Sequence, residues 1–106
     1  MTIVAVSISP IGNSVSVSRY VAAALDVVQA QDRIRFRLDP MFTTLEGDLP
    51  EIYSLITEMQ EAVFAAGAER VSTVIKIDDR RDRPHVSMEE KVSSALKQTK
   101  IKPVIN

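Results

Sequence analysis

The chain contains no cysteine and no tryptophan. Disulfides, thiolate nucleophiles and cysteine metal sites are therefore excluded, a composition that suits a reducing compartment. Histidine occurs once, as His85, behind a proline in a charged stretch, so no His/Cys metal-ligand spacing exists. Its simplest reading is a solvated loop side chain. The three glycines are scattered at positions 12, 47 and 67, which leaves no glycine-rich phosphate loop. Aromatic residues make up only 5% of the chain, too few for the stacking platform that single-stranded RNA requires. The 13 basic and 14 acidic residues nearly cancel, so no global field draws the protein to nucleic acid or to an anionic membrane. No apolar run approaches the roughly 20 residues of a membrane-spanning helix. The N-terminal "MTIVAVSISP" lacks a basic leading segment and reads as a strand, not a signal peptide. The expected location is the cytoplasm.

What remains is an ordinary globular balance, 45% hydrophobic and 25% charged, over 106 residues. That length predicts a single domain over residues 1–106, small enough for oligomerisation to help its stability. Residues Thr2 to Ser9 are short and β-branched and end at Pro10 and Gly12. They predict a strand buried on both faces, since apolar residues fall on both parities. From Ser14 to Gln31 the period changes. Val17, Tyr20, Val21, Ala24, Leu25 and Val28 follow helical spacing, with Ser14 or Ser16 as the cap. "RIRFRL" alternates strictly between arginine and apolar residues, which predicts a second strand that Pro40 stops. "TTLEG" follows as the return strand or turn of a hairpin.

The second helix is expected over residues 50–66, capped by Asp48 and closed by Gly67, with Ile52, Leu55, Ile56, Met59 and Val63 as its apolar stripe. "RVSTVIKID" predicts the last strand. A short helix from about Ser87 to Lys97 carries Met88, Val92 and Leu96 on one side, before an extended tail "IKPVIN". The order β-α-β-β-α-β specifies an α+β, ferredoxin-like sandwich with an extra C-terminal helix and tail. Two helices cover one sheet face. The other mixes charged and apolar groups, which suggests that it packs against a second subunit.

No catalytic constellation is present. The Asp78–Arg83 run alternates in sign and reads as a self-paired loop. A divalent-ion site at Asp78, Asp79 and Asp82 would need converging oxygens that spacing does not show. The arginines at 33, 35 and 37 read as exposed or interface charges that discourage edge pairing. The hydroxyls and carboxylate of "DPMFTTLEGD" are more suggestive. Thr43, Thr44 and Glu46 lie beside apolar Met41 and Phe42 at a strand break. Apolar walls with a few fixed polar groups suit a small heteroaromatic ligand, an aminopyrimidine for example. The plainer alternative is turn threonines and an exposed glutamate.

Three segments, "SISPIGNSVSVSRYVA", "LDPMFTTLEGDLPEI" and "GAERVSTVIKIDDRRDRPHVSMEEKVSS", together resemble the small thiamine-binding (hydroxymethylpyrimidine-binding) protein family across nearly the whole chain. The Pro-Met-x-Thr-x-x-Glu-Gly pattern and the Arg-Val-Ser-Thr…Lys-Ile-Asp-Asp-Arg-Arg-Asp run carry the likeness. The resemblance implies a ferredoxin-like subunit that assembles as a homo-oligomer, commonly a dimer of dimers. It also implies non-catalytic binding of thiamine or its hydroxymethylpyrimidine moiety, in a carrier or regulatory role, with no cofactor, metal, nucleic acid or membrane partner. Family pocket positions fall on Met41, Thr44, Glu46 and Gly47, and further on Ser9, Asn13, Ser16 and Lys76. Where the family has Met-Gly-Thr this chain has Met41-Phe42-Thr43-Thr44, so both threonines and Phe42 are candidates. Phenylalanine in place of glycine removes backbone freedom and adds a ring that narrows the pocket or stacks on its ligand. Asp39 adds negative charge near a cationic ligand. Two alternatives stay open: an oligomeric scaffold that has lost the ligand, and a small metal-dependent enzyme using the Asp78–Asp82 cluster.

Overall fold

Strand β1 (Thr2–Pro10) lies inside a four-stranded antiparallel sheet of order β2-β3-β1-β4, where β2 is Arg35–Leu38, β3 is Thr43–Gly47 and β4 is Val71–Asp79. Helices α1 (Ser18–Gln29) and α2 (Leu49–Ala65) connect β1 to β2 and β3 to β4, and a third helix, α3 (Met88–Lys97), follows. This is the ferredoxin-like arrangement with a C-terminal extension. The computed structural model describes residues 1–12, 17–83 and 85–99. The expected caps Ser14 and Ser16 and the tail segment 101–106 lie outside those residues.

Strand pairing fixes which side chains share a face. Val4 stands opposite Leu45 and Ile77, and Val6 opposite Thr43 and Ile75. That parity faces the helices. Val4, Val6 and Leu45 are buried there against Tyr20, Ala24 and Val28 of α1 and Ile52, Leu55, Ile56, Met59 and Val63 of α2. The α2 stripe is the one its spacing predicts. At the other end of α2, Gly67 adopts φ +117, and Arg19 donates to the Ala66 carbonyl at 2.8 Å.

The opposite parity of β1, Ile3, Ala5 and Ser7, is only half-buried, so the expected burial of β1 on both faces is met on one. The second strand is also shorter than the 33–38 alternation suggests. At its start the Gln31 side chain takes the place of a ladder partner, accepting from the Ile34 N–H at 2.8 Å and donating to the Ile34 carbonyl at 2.9 Å. Ile34 itself packs into the core, 3% exposed.

Helix α3 attaches to the open face, at the end where β2 and β3 finish their pairing. Ser87 caps it, accepting from the Glu90 N–H at 3.1 Å. Of its expected apolar stripe only Met88 is buried, while Val92 and Leu96 are each 43% exposed. Polar anchors hold it instead. Lys91 pairs with Asp78, and Arg35 pairs with Glu89 at 2.6 Å.

The Lys91 ammonium holds the Asp78 carboxyl below its ordinary range, first by hydrogen bonding and then by charge. A carboxyl lowered in the folded state stabilises the protein above its unfolded value, about 3.9 for aspartate, and ceases to do so as pH falls through the folded value. The melting temperature of wild type is therefore expected to exceed that of Asp78→Asn at neutral pH and low salt. The gap should narrow as pH falls below about 5 and close once pH is below the lowered folded value, since protonation then removes the same charge. A gap that stays constant across this range would show that Asp78 holds α3 by something other than its charge. The following loop is self-paired as well: Arg80 donates to both carboxylate oxygens of Asp82, at 2.9 and 2.8 Å, and so lowers the Asp82 pKa.

Candidate functional site: a cleft beneath the hairpin

The four residues Asp39–Phe42 join β2 to β3, and the Asp39 N–H donates to the Phe42 carbonyl at 2.9 Å to close the turn. Pro40 removes one donor and sets the local backbone, which ends the arginine-apolar alternation there. The hairpin tip leans beside the first turns of α1 and leaves a cleft of about 590 Å³ on the helix-covered side of the sheet. Its inner surface is Val6 and Ile8 of β1 with Met59 of α2, and one wall is Val21 and Leu25 of α1. The hairpin, residues 38–43, forms the other wall. The volume lies within the range of small-molecule sites, roughly 300–1,000 Å³.

Strand parity sorts the sequence-predicted residues into two groups. Thr43 pairs with Val6 and Leu38, so its side chain belongs to the helix-covered face, and it is 7% exposed at the cleft. Met41 and Phe42 line the cleft from the turn, Met41 at the tip and 79% exposed, Phe42 half-buried. Ser9 borders it from the end of β1. By alternation its hydroxyl belongs to the opposite face, so it offers the cleft main chain.

Thr44, Glu46 and Lys76 are on that opposite face, where Ala5 stands between Thr44 and Lys76 and Ile3 stands next to Glu46. Thr44 donates to Asp39 Oδ2 at 3.3 Å. The Glu46 carboxylate is 1% exposed, accepting from the Met88 N–H through Oε1 and pairing with Arg35 through Oε2, both at 2.7 Å. Those contacts dock α3 and hold the Glu46 carboxylate on the sheet face away from the cleft. Gly47 ends β3 beside Ile34, and a Cβ there would lie 3.2 Å from Ile34 Cγ1, so it serves close packing. Asn13 and Ser16 lie outside the described residues.

The structure adds members that sequence reasoning did not name. Val21, Leu25 and Met59 share the helical spacing of core residues, and periodicity alone cannot separate a cleft wall from a core. Asp39, already named from the sequence, is the one charged residue lining the cleft among the described residues. It is 37% exposed in its side chain, with Oδ1 3.4 Å from Arg37 Nε. A different reading of the hairpin would have separated the threonines: once "TTLEG" is taken as a strand, Thr43 must share a face with Leu45, and Thr44 with Glu46. A second hollow, of about 250 Å³, lies between α3 and the end of β4, lined by Asp78, Arg80, Arg83 and Lys91 among others. Among the described residues no group of three or more His, Asp or Glu side chains could hold a metal ion, and no helix is long and apolar enough to cross a membrane.

Comparison with known proteins agrees with this architecture. The chain is 43% identical over 101 residues to the UPF0045 protein YqgV of Bacillus subtilis, covering 92% of this chain and 96% of that one. It is 40% identical over 90 residues to a UPF0045 protein of Methanothermobacter thermautotrophicus, covering 83% and 89%. The crystal structure of protein MJ1052 from Methanocaldococcus jannaschii superposes with a TM-score of 0.82 at 34% identity, covering 91% of this chain and 96% of that one. The family model described as thiamine-binding protein matches residues 4–96, and the chain belongs to that family.

Proposed function

We propose that the cleft between α1 and the β2–β3 hairpin binds thiamine or its hydroxymethylpyrimidine portion without catalysing a reaction, in a homo-oligomeric cytoplasmic protein with a carrier or regulatory role. The observation that carries this reading is a site of ligand size with apolar walls and a largely buried threonine, Thr43, in a member of the thiamine-binding family. A flat heteroaromatic ring gains from burial between Leu25, Met59 and Phe42, at about 25 cal/mol per Å² of apolar surface removed from water. The Thr43 hydroxyl then fixes its orientation.

Isothermal titration with hydroxymethylpyrimidine and with thiamine tests the reading. Saturable binding near one ligand per subunit, or one per two, is the expected result. No heat with either compound, from folded protein, would remove it and favour an oligomeric scaffold in which Phe42 has closed the site.

A further inference from the structure

We infer that the hollow between α3 and the end of β4 is a second site, separate from the cleft, that takes a phosphate dianion, free or as the phosphate group of a small ester. It lies on the open face of the sheet, beside Ile3 and its register partner Asp78, whereas the cleft lies on the helix-covered face. Its volume of about 250 Å³ falls just under the roughly 300–1,000 Å³ of ordinary small-molecule sites, which suits a phosphate group with at most a small substituent. Three cationic residues line it, Arg80, Arg83 and Lys91, against one carboxylate, Asp78.

Ion pairing leaves this cluster with a surplus cation. The run from Asp78 to Arg83, together with Lys91, carries three carboxylates and four cations. Lys91 pairs with Asp78, Arg81 stands 3.6 Å from Asp79, and Arg80 stands 2.8 Å from Asp82. Every carboxylate of the run is thereby matched. The Arg83 guanidinium has no hydrogen-bond or ion-pair partner among the described residues. Donors are left over as well. Asp82 takes Nε and Nη2 of Arg80, so Nη1 has no acceptor, and neither has the Ser94 hydroxyl, among the described residues.

An oxyanion answers both features. A guanidinium presents its N–H groups as a planar fork that matches phosphate oxygens, and such charge-assisted bonds are stronger than neutral ones. Arg83 supplies the unmatched charge, and Arg80 and Ser94 supply further donors at the same hollow. A divalent cation would meet the reverse of what it needs, three positive groups and a single carboxylate. The lining also includes Ile3 and Val86, both half-buried, against which the organic part of an ester can rest.

The test is an NMR titration of the full chain, following backbone amides, at a pH where phosphate is a dianion. The probes are inorganic phosphate, phenyl phosphate and, at matched ionic strength, sodium chloride. Both phosphates are expected to shift the amides of residues 80–83 and 91–94 saturably in the millimolar range, and chloride is not. Arg83→Gln removes a guanidinium that holds no partner among the described residues, so its melting temperature should match wild type. Its affinity for both phosphates should fall by about five- to tenfold, as expected of one lost, partly screened charge pair. Arg83→Lys should recover part of that loss, because it restores the charge without the fork.

Tighter binding of phenyl phosphate assigns the site to a phosphate ester, and tighter binding of inorganic phosphate assigns it to the free ion. Shifts that chloride reproduces, saturable shifts that Arg83→Gln leaves unchanged, or no shifts in these two segments each overturn the inference. The outcome is independent of the cleft, since neither probe is a ligand proposed for it.

Discussion

Replacing Glu46 by alanine is expected to lower the unfolding free energy by about 3 kcal/mol while leaving ligand affinity in the cleft unchanged. The carboxylate is buried beneath the start of α3, with one oxygen on the Met88 N–H and the other on Arg35. The first amides of a helix have no partners within it, and its N-terminus favours negative charge. Glu46 supplies both needs from a strand 42 residues earlier in the chain. Its removal orphans the Met88 N–H, leaves a void at the sheet and breaks the bridge by which Arg35 joins Glu46 to Glu89. Because Val92 and Leu96 remain largely exposed, little apolar burial stands in reserve to hold the helix.

Glu46→Gln keeps the volume and an acceptor for Met88 and gives up the charge pair, so about 1 kcal/mol is expected. Urea denaturation measures both variants, and hydrogen exchange along residues 88–97 reports whether α3 loosens first. A normal urea midpoint for Glu46→Ala together with weakened thiamine binding would reverse the assignment and make Glu46 a ligand group.

The contrast between Glu46 and Thr43 shows where local pattern stops being informative. The hairpin, the two long helices and the α2 stripe follow from periodicity, since period 2 and period 3.6 are properties of neighbouring residues. The sides on which Thr43 and Thr44 fall also follow from alternation, given that Leu45 is core. Which other elements meet each side is a matter of tertiary assembly. Glu46 looks like a lone exposed carboxylate in the sequence because one of its partners is a backbone N–H, which no residue type advertises, and the other, Arg35, is brought opposite it only by the hairpin register.

The shortened β2 has a similar cause. The alternation of Arg33 to Leu38 is genuine, but pairing with β3 ends at Arg35 opposite Glu46, and Gln31 then satisfies Ile34 by side chain. The expected helix with Met88, Val92 and Leu96 on one side is present as α3, and of the three only Met88 is buried. Family resemblance joined the fold to the Met-x-Thr segment, yet geometry divides that segment's neighbours between two faces.

The cleft makes its own demand. Val21→Trp is expected to weaken hydroxymethylpyrimidine and thiamine binding by at least about tenfold, or about 1.4 kcal/mol. Val21 is half-buried on the α1 wall, facing the space that a ligand would fill and not the closed core formed by Tyr20, Ala24 and Val28. An indole there can occupy the open cleft, so the overpacking cost of about 1–3 kcal/mol that follows enlargement inside a closed core should be largely avoided. The variant is therefore expected to melt within a few degrees of wild type, roughly the shift that 1 kcal/mol produces in a domain this size. Val21→Ala supplies the converse, a wider cleft with somewhat weaker apolar contact and no block. Calorimetry on the two variants, beside their thermal midpoints, separates occlusion from unfolding. Undiminished affinity in a folded Val21→Trp protein would place the ligand elsewhere, and the opposite sheet face, with Thr44 and Lys76 flanking Ala5, would be the next surface to probe.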